Sequence, residues 1–342
     1  MKKEKKEKLP KEKKVIDPKK EKKQTIIGMS ITVTASAIVG VCIGTILRST
    51  LNSNDRRDFD EDLYKDDIVA IKSKYENAIS KNVTDLSTIL TPVEMLQISF
   101  DLLDNTNYLN ECYGINSNNY SGDQMITSMR AVYNDIVYSE SLSYGKMVKL
   151  GTRYFQTDDK IECYTADKYE LPEDNKNIVL ASYKDDVTEM TSTDYEAKFG
   201  SPMSSATNLL ISSKTVKEGT TPVVSKNENG YKIEVELSDD ATERYKTQII
   251  AMDEKVSGVK PFISLKLVCE LDNLLYLHNL DSYEEYDTIA LSVITARCKA
   301  HLNNKYYYEK DGMNRDSFPK RIESYESYRR GIWKWKGYIY ML

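Results

Sequence analysis

Hydrophobic and polar positions alternate in three different ways along this chain. From Thr25 to Leu47 they scarcely alternate: TIIGMSITVTASAIVGVCIGTIL is uncharged and mostly apolar, between Lys23 and Arg48. Its 23 residues meet the roughly 20 that a helix needs to cross a hydrocarbon core, so the run predicts a transmembrane helix. Within 61–81, Tyr64, Ile68, Ile71, Tyr75 and Ala78/Ile79 recur at helical spacing and predict an amphipathic helix. A short coiled-coil stalk and packing against the body both fit it, and so few turns of seam favour the body. Thr91-Pro92-Val93-Glu94 supplies an N-cap, a proline at the first helical position and a capping-box acid. The helix it opens runs to about Asp104, with Val93, Leu96, Phe100 and Leu103 on its buried stripe.

From about residue 108 the period becomes two. Met125, Thr127, Met129, Ala131 and Tyr133 alternate with Ile126, Ser128, Arg130 and Val132, and similar runs fall near 136–144, 148–156, 161–168 and 176–184. Turn residues at the joints (Asn134-Asp135, Tyr144-Gly145, Asp158-Asp159, Glu173-Asp174-Asn175) predict an antiparallel meander. A small helix at about 191–199 ends at Gly200, and a strand is expected at about 207–215. Tyr231, Ile233, Val235 and Leu237 alternate with Lys232, Glu234 and Glu236 as a strand with one wet face. Asp240-x-x-Glu243 opens a helix with stripe Ala241, Tyr245, Ile249, Met252 and Val256, closed by Gly258. Strands follow from Pro261 to a turn at Asp272-Asn273, then over 274–284 and about 288–302, where Ala290, Ser292, Ile294, Ala296, Cys298 and Ala300 form a face of small side chains. The expected fold is α+β: a single N-terminal transmembrane helix, then an extracytoplasmic, mostly antiparallel curved β-sheet domain with two or three packed helices.

Charge orients this layout. Residues 1–24 hold 12 Lys and 5 acids, about +7, and too little apolar surface to form a core, so a disordered basic tail is expected. The whole chain carries −5, leaving about −12 beyond the tail. Lysines before a first span stay inside, which predicts a single-pass cell-membrane protein with a cytoplasmic N-terminus and an extracytoplasmic C-terminal body. A cleaved signal peptide fits less well, because the best small-x-small site, Ala35-Ser36-Ala37, lies in mid-run. A lipoprotein site at Cys42 is excluded by Val41 before it. Along the span Gly28, Thr32, Ser36, Gly40 and Gly44 recur every four residues, a stripe that predicts homodimerisation within the membrane. The expected divisions are the tail (1–24), the span (25–47), a polar linker with its amphipathic helix (48–81), the α+β domain (82–314) and an aromatic-basic C-terminal segment (315–342).

Over about 185–302, the run YKIEVEL…ATERYKTQI…PFISLKLVCELDNLLYLHNLDSYEEY resembles bacterial lipoprotein-carrier proteins, the LolA/LppX-like half-barrels. That resemblance implies a bent sheet whose covering helices help to cradle acyl chains, and it brings no catalytic residue. The chain departs from the exported members in lacking their N-terminal lipidation site, for which a signal anchor could substitute.

The chemistry is sparse. The two histidines, His278 and His301, show no HExxH or His-x-His spacing, and no nucleophile elbow, P-loop or dinucleotide turn occurs, so no cofactor, metal or catalytic residue is expected. The adjacent pair Glu284-Glu285 reads as solvated carboxylates on opposite faces of a strand. Of the five cysteines, Cys269 and Cys298 are a candidate disulfide on neighbouring strands, with small buried thiols the alternative. Both tryptophans fall at the C-terminus, where Trp333 and Trp335 alternate with Lys334 and Lys336 after Arg329-Arg330. From Lys320 onward six Lys/Arg against Glu323 and Glu326 give about +4. The segment reads either as a contact surface for lipid headgroups or a wall polymer, or as a last strand closing the sheet, the favoured reading. An acidic body argues against nucleic acid. The expected function is therefore a membrane-anchored binding protein of a bacterial envelope, holding a lipid or other apolar ligand in its curved sheet. A non-catalytic scaffold or sensor in an envelope assembly is the alternative, and a wall-polymer hydrolase the least favoured.

Overall fold

A computed structural model describes residues 59–133, 136–170, 180–291 and 293–308. Two helices come first. α1 (Ile68–Ser80) starts at Asp67, whose carboxylate accepts from the Ala70 amide. α2 (Pro92–Asp104) opens on the expected capping box: the Glu94 amide donates to Thr91 Oγ1 at 3.2 Å, and the Thr91 amide to Glu94 Oε2 at 2.8 Å. That arrangement satisfies two amides that the first turn cannot bond internally.

The strands are β1 (Tyr108–Asn118), β2 (Gly122–Tyr133), β3 (Ile136–Gly145), β4 (Lys149–Thr157), β5 (Lys160–Glu170) and β6 (Leu180–Thr191). After α3 (Ser192–Phe199) come β7 (Val223–Asn227) and β8 (Gly230–Glu236). After α4 (Glu243–Met252) come β9 (Val256–Val259), β10 (Ser264–Asp272), β11 (Leu277–Ala290) and β12 (Ile294–Tyr308). They form one 12-stranded sheet in the order β6-β5-β4-β3-β2-β1-β12-β11-β10-β8-β7, with β9 against β11. Every ladder is antiparallel, and the β1–β12 pairing joins an early meander to a late one.

One face lies against the helices. Tyr231, Ile233 and Val235 of β8, and Leu265, Leu267 and Cys269 of β10, pack with Ile71 of α1 and Leu96 and Phe100 of α2. Further along the same face Tyr195 and Phe199 of α3 meet the Tyr154 ring edge-on, at 5.4 and 5.6 Å. The opposite face changes character across the sheet. At β3–β6 it is closed: the Tyr183 hydroxyl of β6 donates to Glu140 Oε1 of β3, and the Arg153 guanidinium of β4 lies 4.3 Å from each of the Tyr164 and Tyr183 rings. Three strand spacings separate β3 from β6, roughly 14 Å in a flat sheet, so the contact requires these strands to curl toward this face. Gly151 makes room for the curl, since a Cβ there would sit 2.6 Å from Leu142 Cδ2 and 2.7 Å from Ala166 Cβ.

Several expectations are corrected. The described fold is a mostly antiparallel single sheet with four α-helices, rather than a transmembrane helix followed by a domain with two or three. Among the described residues no helix is long and apolar enough to cross a membrane. The longest, α1 and α2, have 13 residues each, and amphipathic stripes that suit them to the core. This finding overturns the expected single-pass architecture and the cell-membrane localisation built on it. The run 25–47, its stripe Gly28, Thr32, Ser36, Gly40 and Gly44, and the basic tail lie outside the described residues. The strand expected at about 207–215 does not form, because the Ser212 and Lys214 amides bond to the Thr215 and Ser212 hydroxyls in a 3₁₀ turn. The helix expected to reach Val256 stops at Met252, and Val256–Val259 pairs with β11. Strand β11 runs to Ala290, past the turn expected before residue 288, because Glu285 and Asp287 both pair with Arg297 across the ladder.

Candidate functional site

The candidate site lies on the face away from the helices, where β8 and β10–β12 meet water. Antiparallel registers place Lys266 of β10 opposite Tyr283 of β11, Tyr283 opposite His301 of β12, and His301 opposite Ile115 of β1. The row continues through Met125 of β2 and Tyr144 of β3 to Lys149 of β4. Six strand spacings make it roughly 29 Å long. Alternation puts all seven side chains on one face. Tyr283 is 44% exposed, Ile115 53% and the His301 side chain 52%, so the centre of the row is aromatic and apolar yet wet, between a lysine at either end.

Two open depressions flank its centre. One, about 450 Å³, is lined by Lys232, Glu234, Lys266, Val268, Glu270, Asp281 and Tyr283. The other, about 410 Å³, is bounded by Ile115, Met125, Tyr144, Gln124, Lys146 and Lys149 among others. Between them the Tyr283 and His301 rings stack at 4.3 Å with planes 10° apart. His301 Nε2 lies 2.9 Å from Asp281 Oδ1, while Asn303 and Asn279 donate amides to Asp281 at 3.0 and 3.1 Å. Burial pushes the Asp281 carboxyl up, but the hydrogen bonds from His301, Asn303 and Asn279 outweigh it and hold it below the usual carboxylate range. Lys266 and Lys232 bond Glu234 and depress its carboxyl. On the far side of the row Glu285 and Lys299 pair at 3.4 Å, and Ser117 donates to Asp123 at 2.8 Å. Both signs of charge are interspersed, and no single-sign field results.

A second polar group lies under α4 on the helix face. Glu284 is buried and accepts from Ser282 Oγ at 2.8 Å and Tyr245 Oη at 2.9 Å. Burial dominates and raises its carboxyl, with the two hydroxyls opposing. Phe262 stacks on Tyr286 at 4.6 Å beside it, so this arrangement is packed rather than open. The expected pair of solvated carboxylates is corrected accordingly: Glu285 faces water and Glu284 does not.

The other sequence candidates separate. Cys269 and Cys298 are free thiols, on β10 and β12 with β11 between them, Cys269 opposite Leu280 and Cys298 opposite Tyr286. Two strand spacings, roughly 9.6 Å before the offset along the strands, exceed the reach of a disulfide, so of the two alternatives the structure has the small buried thiols. His278 lies 3.7 Å from Asp272, with its ring against Tyr308. Trp333, Trp335, Lys334, Lys336, Arg329 and Arg330 lie outside the described residues. Among the described residues no cluster of three or more His, Cys, Asp or Glu is arranged to hold a metal. The row itself escaped sequence reasoning. Its signal is a register between Ile115 and His301, and nothing local in either strand encodes that pairing. No protein-family model matches the chain, and no curated protein matches it in sequence.

Proposed function

We propose that the protein is a non-catalytic binding module whose open sheet face holds a polyhydroxylated polymer, a glycan chain, along the row from Lys266 to Lys149. The observation carrying this reading is the register that aligns Tyr283, His301, Ile115, Met125 and Tyr144 across five adjacent strands. Aromatic and aliphatic surface offers contact to the C–H faces of sugar rings, while the flanking Asp281, Asn279, Asn303 and Lys266 supply donors and acceptors for hydroxyls. The balance of charge around the row suits a neutral polymer better than a polyanion such as nucleic acid. An apolar cargo of the lipoprotein-carrier kind is less well matched. Both depressions are open and carry lysines, and the curl of β3–β6 is filled by Leu142, Tyr164, Ala166 and Tyr183.

The test is co-sedimentation of the full chain with insoluble polysaccharides (chitin, cellulose, bacterial wall glycan). Ile115→Asp combined with Tyr283→Ala should reduce retention by about tenfold or more, the loss of one or two buried contacts, with an unchanged circular dichroism spectrum. Equal retention of the folded double variant, or retention of the wild type by none of the three, would refute the reading.

A further inference from the structure

The centre of the row carries more information than its ends. An ionised carboxylate only accepts hydrogen bonds, and Asp281 Oδ1 lies 2.9 Å from His301 Nε2. The carboxylate is itself fixed, because Asn303 Nδ2 reaches both Asp281 Oδ1 at 3.0 Å and Asn279 Oδ1 at 2.9 Å. In the neutral imidazole Nε2 therefore bears the proton, and Nδ1 keeps its lone pair. Tyr283, stacked at 4.3 Å, holds the ring plane. On the other side the exposed Ile115 side chain stands opposite His301 in register, with Met125 next in the row. The face thus sets a fixed acceptor beside an exposed methyl-rich surface.

A hydroxyl would use the acceptor alone and leave the methyl-rich surface of Ile115 and Met125 uncovered. A secondary amide N–H with a methyl group attached through its carbonyl uses both features, the N–H as a donor only and the methyl against Ile115 and Met125. We infer that the open face recognises N-acetylated sugars, His301 Nδ1 accepting the acetamido N–H and Ile115 and Met125 receiving the acetyl methyl. This rests on the glycan reading above and narrows it to one substituent. The groups facing the ring are Asp281 and Tyr283 on β11, Asn303 and the Glu285-paired Lys299 along β12, and Ile115 on β1.

Calorimetric titration of the full chain with N-acetylchitotetraose and with cellotetraose, which carries hydroxyls where the former carries acetamido groups, tests the inference. At about pH 8 the wild type should bind the acetylated probe about tenfold more tightly, the gain from covering Ile115 and Met125 with the acetyl methyl while the N–H meets Nδ1. His301→Gln keeps a carbonyl acceptor and should retain the preference, whereas His301→Ala should lose it. Long-range ¹H–¹⁵N spectra, read without ligand and assigned against His278→Asn, should show the proton on His301 Nε2. Equal affinity for the two sugars would overturn the inference while leaving the glycan reading standing. So would an unaltered preference in His301→Ala, or a proton on Nδ1. Failure of the wild type to bind either sugar at any pH would overturn both.

Discussion

Glu284 and Glu285 are identical neighbours with opposite fates. Alternation along β11 turns Glu285 to water, where Arg297 and Lys299 hold it ionised, and turns Glu284 under α4, where two hydroxyls are its hydrogen-bond partners. Burial raises the Glu284 carboxyl above its value in the unfolded chain. The sign follows from proton counting: the folded state holds its proton more tightly, so this contribution to stability is complete below the unfolded value and is lost as pH rises through the folded one. Glu284→Gln removes the charge and keeps a carbonyl acceptor. It should be more stable than the wild type at neutral pH by about 1 kcal/mol, or ~2–4 °C in Tm, with the difference vanishing at about pH 4. Melting curves across that range check it, and a gap independent of pH would contradict it. Sequence placed the two carboxylates on opposite faces. It could not tell that one of those faces is covered, because coverage comes from α4 and its Tyr245.

At the scale of elements, legibility tracked locality with one exception, the Ser212–Thr215 turn, whose local hydrogen bonds displaced an expected strand. The capping box of α2, the end of α3 at Gly200 and the alternation of β2 and β8 were readable because each is decided within a few residues. The boundary errors arose where distant chain intervened: β9 takes residues from a helical stripe by pairing with β11, and Arg297 prolongs the β11–β12 hairpin. Curl is the least legible property of all. Gly151 lies opposite Leu142 in register and 2.7 Å, as a Cβ would measure it, from Ala166 Cβ on the next strand. Gly151→Ala should therefore flatten or overpack the turn of β3–β6, costing about 1–3 kcal/mol. A lowered urea midpoint would report it, and an unchanged midpoint would show that the curl tolerates a methyl group there.

For the whole molecule, sheet order decides what the cysteines can do. With β11 between them, Cys269 and Cys298 cannot bridge without breaking the central ladders. Air-oxidised and reduced protein should accordingly migrate alike on denaturing gels, and thiol titration in denaturant should recover both; a faster oxidised band would contradict the topology. The same order creates the candidate site. Sequence by itself determined the period of most segments, the capping box of α2 and the faces of single strands, since all of these depend on residues within a few positions of one another. Only the tertiary structure decided which strands are neighbours, and hence that Ile115 stands beside His301 and that Glu284 is buried. The physical reason is that an antiparallel ladder joins residues by backbone hydrogen bonds common to every sequence. Register between segments some 190 residues apart is then set by how the apolar faces of all the strands and helices can be covered at once.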